Sequence, residues 1–382
     1  MKEQAHERIV NKFNQLIDIF TNERPNTVFE MNRAWSATYL TYIKAYFGVI
    51  YLYFLRIEDS RKYFFQTFRN KEVIDCLNQE EIVILGNRQH LAACRASNFK
   101  LIWVGGIVAA IVIATRGGHT LPLRLQLYLA KKSMGKPRKY FFLYEDTTPV
   151  GIFFAIFANE HSHISICIQH GTPMIKELWL DGLLCRYNLL YQLSMKEDMN
   201  PESNYFELGP PFDIIKGEDV SFMIILVGTG YSVVKPSFYR RSLDCYQRIA
   251  NQLNNSVWKV IYRPHPCERG FDYSSHFSNV DKSSKVTCLS GARKLFIGYQ
   301  SSLLFEAKTF GHSAITLIDP DTYMIKSFTP NAELDASCVE NIEGVIVRLH
   351  SEMKKCPARA IPPLKERFMP ILRKIESDTH RV

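Results

Sequence analysis

Paired cysteines, long apolar runs and, over one stretch, acidic residues are all missing from this chain. Its nine cysteines never form a CxxC pair, which argues against a zinc ribbon or a thioredoxin-like motif. Their odd number and irregular spacing point to the reduced thiols of a cytoplasm. No apolar run reaches the roughly 20 residues that a spanning helix needs. The longest, Leu101 to Thr115, contains a Gly-Gly pair; it reads as a buried core element, with membrane insertion as the alternative. The opening MKEQAHERIVNKF is charged and has no apolar core, so a secretory leader is not expected. Nothing matches a P-loop or a full GxGxxG. No metal or other cofactor is implied.

What is present is the composition of a globular protein, 46% hydrophobic and 22% charged over 382 residues. That length favours two domains over one. Between Ile82 and Tyr144 there is no Asp or Glu, while Arg88, Arg95, Lys100, Arg116, Arg124, Lys131, Lys132, Lys136, Arg138 and Lys139 all fall there. These ten bases exceed the net charge of +9, so the remainder of the chain sums to −1. Such a segment attracts nucleotide phosphates, an acidic glycan or anionic lipid heads; a plain solvated face is the alternative. It lacks RRM and helix-turn-helix signatures, so no nucleic-acid partner is expected.

The periodicity predicts an α/β protein in four parts. Residues 1–78 read as a helical N-terminal extension, with amphipathic spacing in RIVNKFNQLIDIF and again in the aromatic TYLTYIKAYFGVIYLYFLRI. The aromatic stripe reads as packed core, with a membrane or partner face as the alternative. Residues 79–208 alternate strand and helix: strands in EIVIL, FKLIWV, KYFFLY and ISICI, helices over 88–97 and 149–159. Gly209-Pro210-Pro211 breaks the pattern and reads as a hinge. Residues 209–355 alternate again, with strands in FMIILV, WKVIY, KLFI and AITLI. A C-terminal helix lies in 356–382. No internal repeat is visible. Two Rossmann-like domains facing a central cleft are expected, with ligands at the carboxyl ends of the strands.

Five motifs fall at such ends. Ser301 and Ser302 open a helix, where hydroxyls and unpaired N–H groups suit a phosphate, and Glu306 lies one turn further on, placed for ribose hydroxyls. In Arg263-Pro264-His265-Pro266 two prolines restrain an imidazole beside a cation. Gly228-Thr229-Gly230 permits close approach of a pyrophosphate or sugar. His170, in Gln169-His170-Gly171, is a candidate base or oxyanion partner, with Lys176 nearby for a phosphate. Of Glu145 and Asp146, adjacent on the chain, one at most faces a given side and is a candidate proton acceptor, nucleophile or charge stabiliser.

Together QHGTPMIKE, the Gly-Pro hinge, RPHP and GYQSSLLFEA resemble bacterial capsule-type and teichoic-acid-type glycosyltransferases of GT-B fold. The set is similar to the CDP-glycerol glycerophosphotransferases and to the bacterial sialyltransferases and Kdo transferases. The resemblance covers roughly Tyr144 to Ile318. It implies a cytidine nucleotide-sugar donor, with His265, Ser301 and Ser302 on the donor phosphate, Glu306 on the ribose and His170 at the reaction centre. CMP bearing an acidic sugar (sialic, pseudaminic or Kdo type) is favoured over CDP-glycerol, and a sugar-nucleotide epimerase is the more distant alternative. A glycan or glycolipid acceptor and peripheral attachment to an anionic inner-membrane surface are also implied. Two departures stand out. The sialyltransferase acid pair is followed by Gly where Thr147 stands here, and the glycerophosphotransferases usually carry Asp where Glu306 stands.

Overall fold

Strands buried on both faces lose the polar alternation of a surface strand and read as short apolar runs. The chain contains two sets of them. The computed structural model describes residues 4–23, 37–68, 71–135, 137–144, 148–169, 184–199, 203–229, 236–254, 256–268, 271–299, 301–320, 329–356 and 360–380. They divide into two compact units, one within Met1–Gln169, Ile175–Pro211 and Leu364–Val382, the other within Phe212–Pro363.

The first unit runs α1 (Ala5–Glu23), α2 (Tyr39–Phe54), β1 (Tyr63–Gln66), α3 (Lys71–Ile74), β2 (Ile82–Gly86), α4 (Leu91–Ala96), β3 (Lys100–Trp103), α5 (Gly105–Arg116), α6 (Leu121–Met134), β4 (Tyr140–Leu143), α7 (Pro149–Glu160), β5 (Ile164–Ile168), β6 (Tyr187–Leu190) and β7 (Asn204–Glu207). The second runs β8 (Lys216–Val227), α8 (Pro236–Leu253), β9 (Lys259–Arg263), α9 (Lys285–Leu289), β10 (Gly291–Gly298), α10 (Ser302–Thr309), β11 (Ser313–Ile318), β12 (Ala332–Asp335) and α11 (Ile342–Lys355). The last helix, α12 (Leu364–His380), belongs to the first unit.

The first sheet has the order β3-β2-β1-β4-β5-β6-β7 and the second β12-β11-β10-β8-β9, with every ladder parallel. The expected α/β class with two parallel sheets is what the chain adopts.

The expectation of helix throughout residues 1–78 is corrected, because β1 lies inside it at the middle of the first sheet. Four buried residues, YFFQ, follow an aromatic helix directly, so their period of two is too short to register. The alternation is real nonetheless. Phe64 packs with Val83, Leu85 and Phe141 against the helices of one face, while Tyr63 and Phe65 pack with Phe142 on the other. Phe65 and Phe142 stack at 4.6 Å. On that second face Leu364, Phe368, Leu372 and Ile375 of α12 close the core.

The Leu101–Thr115 run divides into the end of β3 and the buried α5. Glycine allows α2 and α5 to cross closely: a Cβ on Gly48 would lie 2.7 Å from the Gly106 Cα. Gln126, fully buried, donates Nε2 to the carbonyls of Ala45 and Gly106 at 2.8 and 3.1 Å and locks the crossing.

A shared device unites the two sheets although no repeat is legible in the sequence. Lys139 leads into β4 and His163 into β5; Lys294 lies in β10 and His312 leads into β11. In each pair the lysine N–H donates to the imidazole Nδ1, at 3.3 and 3.0 Å. Lys139 Nζ donates to the carbonyls of Asp59 and Arg61, and Lys294 Nζ to those of Cys288 and Ser290. Burial holds both histidines near pKa 4, with neighbouring cations adding to the shift, so both are neutral.

Candidate functional site

A parallel sheet offers a ligand crevice where successive connections leave in opposite directions. In the second sheet that point lies between β8 and β10, and in the first between β1 and β4. The register fixes what gathers at the second sheet's edge. Val227 pairs with Gly298 on one side and Arg263 on the other. Gly228-Thr229, Pro264-His265 and Tyr299, with Ser301 and Ser302 just beyond, therefore leave the same edge side by side. With strands about 4.8 Å apart, the His265 and Ser301 turns stand roughly 10 Å apart across the Gly228 turn.

Gly228 makes that proximity possible. Its N–H donates to the Arg263 carbonyl at 2.8 Å. A Cβ there would meet the His265 nitrogen at 2.7 Å, and the Arg263 carbonyl and Glu268 Oε2 at 3.0 Å each. Thr229 is buried beside it. The His265 turn is held from within by Glu268, which is fully buried. Its Oε2 accepts the His265 N–H at 3.2 Å and the Tyr262 hydroxyl at 3.4 Å. Burial, then the Glu268 charge, push the Tyr262 phenol well above its ordinary pKa, keeping it a donor. Pro264 is buried, His265 half-buried and Pro266 exposed. Glu268 was not anticipated; its signal is a carboxylate three residues after His265, the spacing at which a side chain reaches back to a turn N–H.

Arg263 is buried and engaged. Its Nη1 meets Asp281 at 2.6 Å and Ser283 Oγ at 3.4 Å, and its Nη2 donates to the Ser283 carbonyl at 3.1 Å. Burial alone would raise the Asp281 pKa; bonds from Ser283 and the guanidinium outweigh it and hold the carboxyl below its usual range. Arg263 therefore braces the strand end.

Ser301 caps α10 with an extended backbone, and its side chain accepts the Leu303 N–H at 3.3 Å. Ser301 and Ser302 are both half-buried. Glu306 is fully buried one turn along and pairs with Lys285 Nζ at 2.6 Å. Lys285 in turn lies 4.9 Å over the Phe212 ring.

At the first sheet's switch point the end of β1 carries a second unanticipated group. Buried Gln66 donates Nε2 to Thr148 Oγ1 at 2.8 Å, and its Oε1 accepts the Tyr144 N–H at 3.0 Å. It thus ties together the two residues that flank Glu145, Asp146 and Thr147. Next to it Thr67 has φ +69°, rare for a β-branched residue. Gln169, buried after β5, accepts the Tyr191 N–H at 2.8 Å through Oε1.

Seven sequence-nominated residues thus share one sheet edge: Gly228, Thr229, Arg263, His265, Pro266, Ser301 and Ser302. Glu306 lies behind them in α10, and Gln169 ends β5 of the other sheet. His170, Glu145, Asp146, Gly171, Lys176 and Gly230 lie outside the described residues. One Asp-x-Asp, at residues 319–321, escaped the sequence reading. Asp319 accepts Arg241 Nη2 at 3.3 Å, and Asp321 is outside the described residues. Among the described residues no His, Cys, Asp and Glu group is placed to hold a metal ion.

No family model and no curated protein matches the chain. Among solved structures it is similar to CalG4, the calicheamicin glycosyltransferase, at 10% identity over 84% of this chain and 94% of that one, TM-score 0.46. It is similar to the glycotransferase of kitacinnamycin at 10% identity over 82% and 94%, TM-score 0.44. It is also similar to the spinosyn rhamnosyltransferase SpnG, complexed with spinosyn aglycone, at 11% identity over 82% and 100%, TM-score 0.43.

Proposed function

We propose that this chain is a glycosyltransferase. It moves an acidic sugar, of the sialic, Kdo or pseudaminic kind, from a CMP-activated donor to a capsule or lipopolysaccharide glycan at an anionic membrane surface. The observation that carries the reading is the convergence of Gly228, His265 and the Ser301 cap of α10 on the switch point of the second sheet.

The donor phosphate sits on the α10 N-terminus, where the first N–H groups and the hydroxyls of Ser301 and Ser302 meet its charge. His265 approaches from the opposite side of the Gly228 turn, and Glu306 with Lys285 lies on the ribose side. The acceptor hydroxyl oxygen bonds to the anomeric carbon as the bond from that carbon to the phosphate oxygen breaks, and CMP leaves with the electron pair. Glu145 or Asp146 takes the hydroxyl proton, with His170 at the reaction centre. Gln169, Gly171 and Lys176 belong to the acceptor side. Donors fixed before the reaction offset the leaving group's charge without reorganising, and as proposed this site needs no metal.

A thermal-shift panel tests the reading. At a hundredfold excess over its dissociation constant, CMP adds about 2.7 kcal/mol. For a unit of this size that raises the Tm by roughly 5–10 °C. UDP, GDP and ADP leave it unchanged. His265→Ala and Ser302→Ala each lose the shift and cut turnover while the chain stays folded. A response to CDP alone moves the reading to glycerophosphate transfer; equal response to all nucleotides, or to none, overturns the donor assignment.

A further inference from the structure

Helix α2 has two faces of opposite kind. Ala45, Gly48 and Leu52 turn inward. Outward stand Tyr39, Leu40, Ile43, Phe47, Ile50, Tyr53 and Phe54, all exposed, from 46% for Ile43 to 80% for Tyr39. The outer face of a surface helix is ordinarily polar. Here its only charge is Lys44. The reading of this aromatic stripe as packed core therefore holds for half of the helix only.

The neighbouring α6 extends the patch. It exposes Leu121, Arg124, Tyr128, Lys131 and Lys132, which share one side of the helix. The two helices meet along the patch: Lys132 Nζ lies 6.0 Å over the Tyr53 ring, and Tyr46 Oη is 3.1 Å from Nε2 of His119, which leads into α6. No carboxylate occurs in α2, α5 or α6. Beside them a groove of about 550 Å³ is lined by Phe47, Ile50, Tyr51, Phe54 and Leu55 together with Arg56 and Lys100. Contiguous exposed apolar surface of this kind marks an interaction site. Aromatic and aliphatic side chains flanked by Lys44, Arg124, Lys131 and Lys132 complement acyl chains beneath anionic headgroups. At 16 residues α2 is about 24 Å long, and among the described residues no helix is long and apolar enough to cross a membrane.

We propose that α2 and α6 form a face that docks flat on an anionic lipid bilayer, α2 entering the headgroup boundary and Arg124, Lys131 and Lys132 meeting the phosphates. This deepens the functional reading by giving its membrane surface an address. Its deciding readout is binding to vesicles, measured without nucleotide, so the two fail separately.

The test is co-sedimentation of the full chain with vesicles of phosphatidylcholine alone or with 30% phosphatidylglycerol. Expected is binding at least about tenfold tighter to the anionic vesicles and weakened by salt. Phe47→Gln with Phe54→Gln, and separately Lys131→Glu with Lys132→Glu, each lower vesicle affinity by at least about tenfold with an unchanged Tm and an unchanged response to CMP. Should a pair fail to fold, quenching by brominated acyl chains replaces it. Trp103 stands edge-on to Phe47 at 6.0 Å, so its emission falls with brominated anionic vesicles and the Trp103→Phe chain loses that component. Equal binding by both variant pairs, absence of binding to any vesicle, or no Trp103 quenching overturns the proposal. So does a wild-type dimer that the Phe47/Phe54 pair converts to monomer, which assigns the face to a second copy.

Discussion

Gly228→Ala adds a single methyl at the centre of the nucleotide edge. The added Cβ falls 2.7 Å from the His265 nitrogen, whereas real Cβ contacts start near 3.0 Å, so the His265 turn or β8 must move by at least ~0.3 Å. Neither moves freely. The Gly228 N–H is committed to the Arg263 carbonyl at 2.8 Å, and the His265 N–H to buried Glu268 at 3.2 Å. Inserting one methyl into a site this tight costs about 1–3 kcal/mol, a Tm loss of roughly 2–12 °C. Displacing one phosphate ligand by a fraction of an ångström weakens CMP by about tenfold. Gly344→Ala is the matched control, because nothing lies within 4 Å of its Cβ and it lies in helix α11. That change stabilises the chain by up to about 1 kcal/mol and leaves CMP affinity untouched. Calorimetric titration of both variants with CMP, beside thermal unfolding, decides the matter. A Gly228→Ala protein that binds CMP as tightly as the parent refutes the assignment of this turn to the donor site.

Three further outcomes follow from the same geometry. Lys285→Met strands the buried Glu306 carboxylate and lowers stability by about 2 kcal/mol, discounted because the lysine is partly exposed. Adding Glu306→Gln recovers part of that loss in urea titrations. Gln66→Leu severs the bonds to Tyr144 and Thr148, and steady-state kinetics then show kcat reduced by about tenfold or more with KM little changed. Acid destabilises the fold through His163 and His312. Their folded pKa near 4 lies below the ordinary histidine value of 6.5, so the unfolded chain takes up protons first as the pH falls. Stability therefore declines from about pH 6.5 and levels off near pH 4, by about 3 kcal/mol per imidazole. Urea titrations at stepped pH show this decline, and His312→Gln flattens about half of it.

The strand-ending motifs were legible because parallel strands end where punctuation must stand. Gly228, Pro264 and Ser301 each terminate an apolar run, and the register then brings them together. β1 was illegible because YFFQ is short, apolar throughout and continuous with an aromatic helix. β6, β7 and β12 are illegible because Asn188, Asn204, Glu207, Glu333 and Asp335 interrupt their apolar runs, and α6 because basic and apolar residues share its faces. Glu268 and Gln66 escaped notice since each acts on a backbone N–H through folding, with no motif around it. The buried Lys–His pairs, one per sheet, make the same bond from lysine N–H to imidazole Nδ1 while their sequences share only a lysine, a few aromatics and a histidine.

The central claim is that a cytidine monophosphate is held at the carboxyl edge of the second sheet. A crystal structure of the chain saturated with CMP tests it most directly. The account predicts the phosphate within about 3 Å of the Ser301 or Ser302 hydroxyl and of the His265 imidazole, above Gly228. A nucleotide bound instead at the first sheet, or an empty second-sheet edge at saturating CMP, contradicts it.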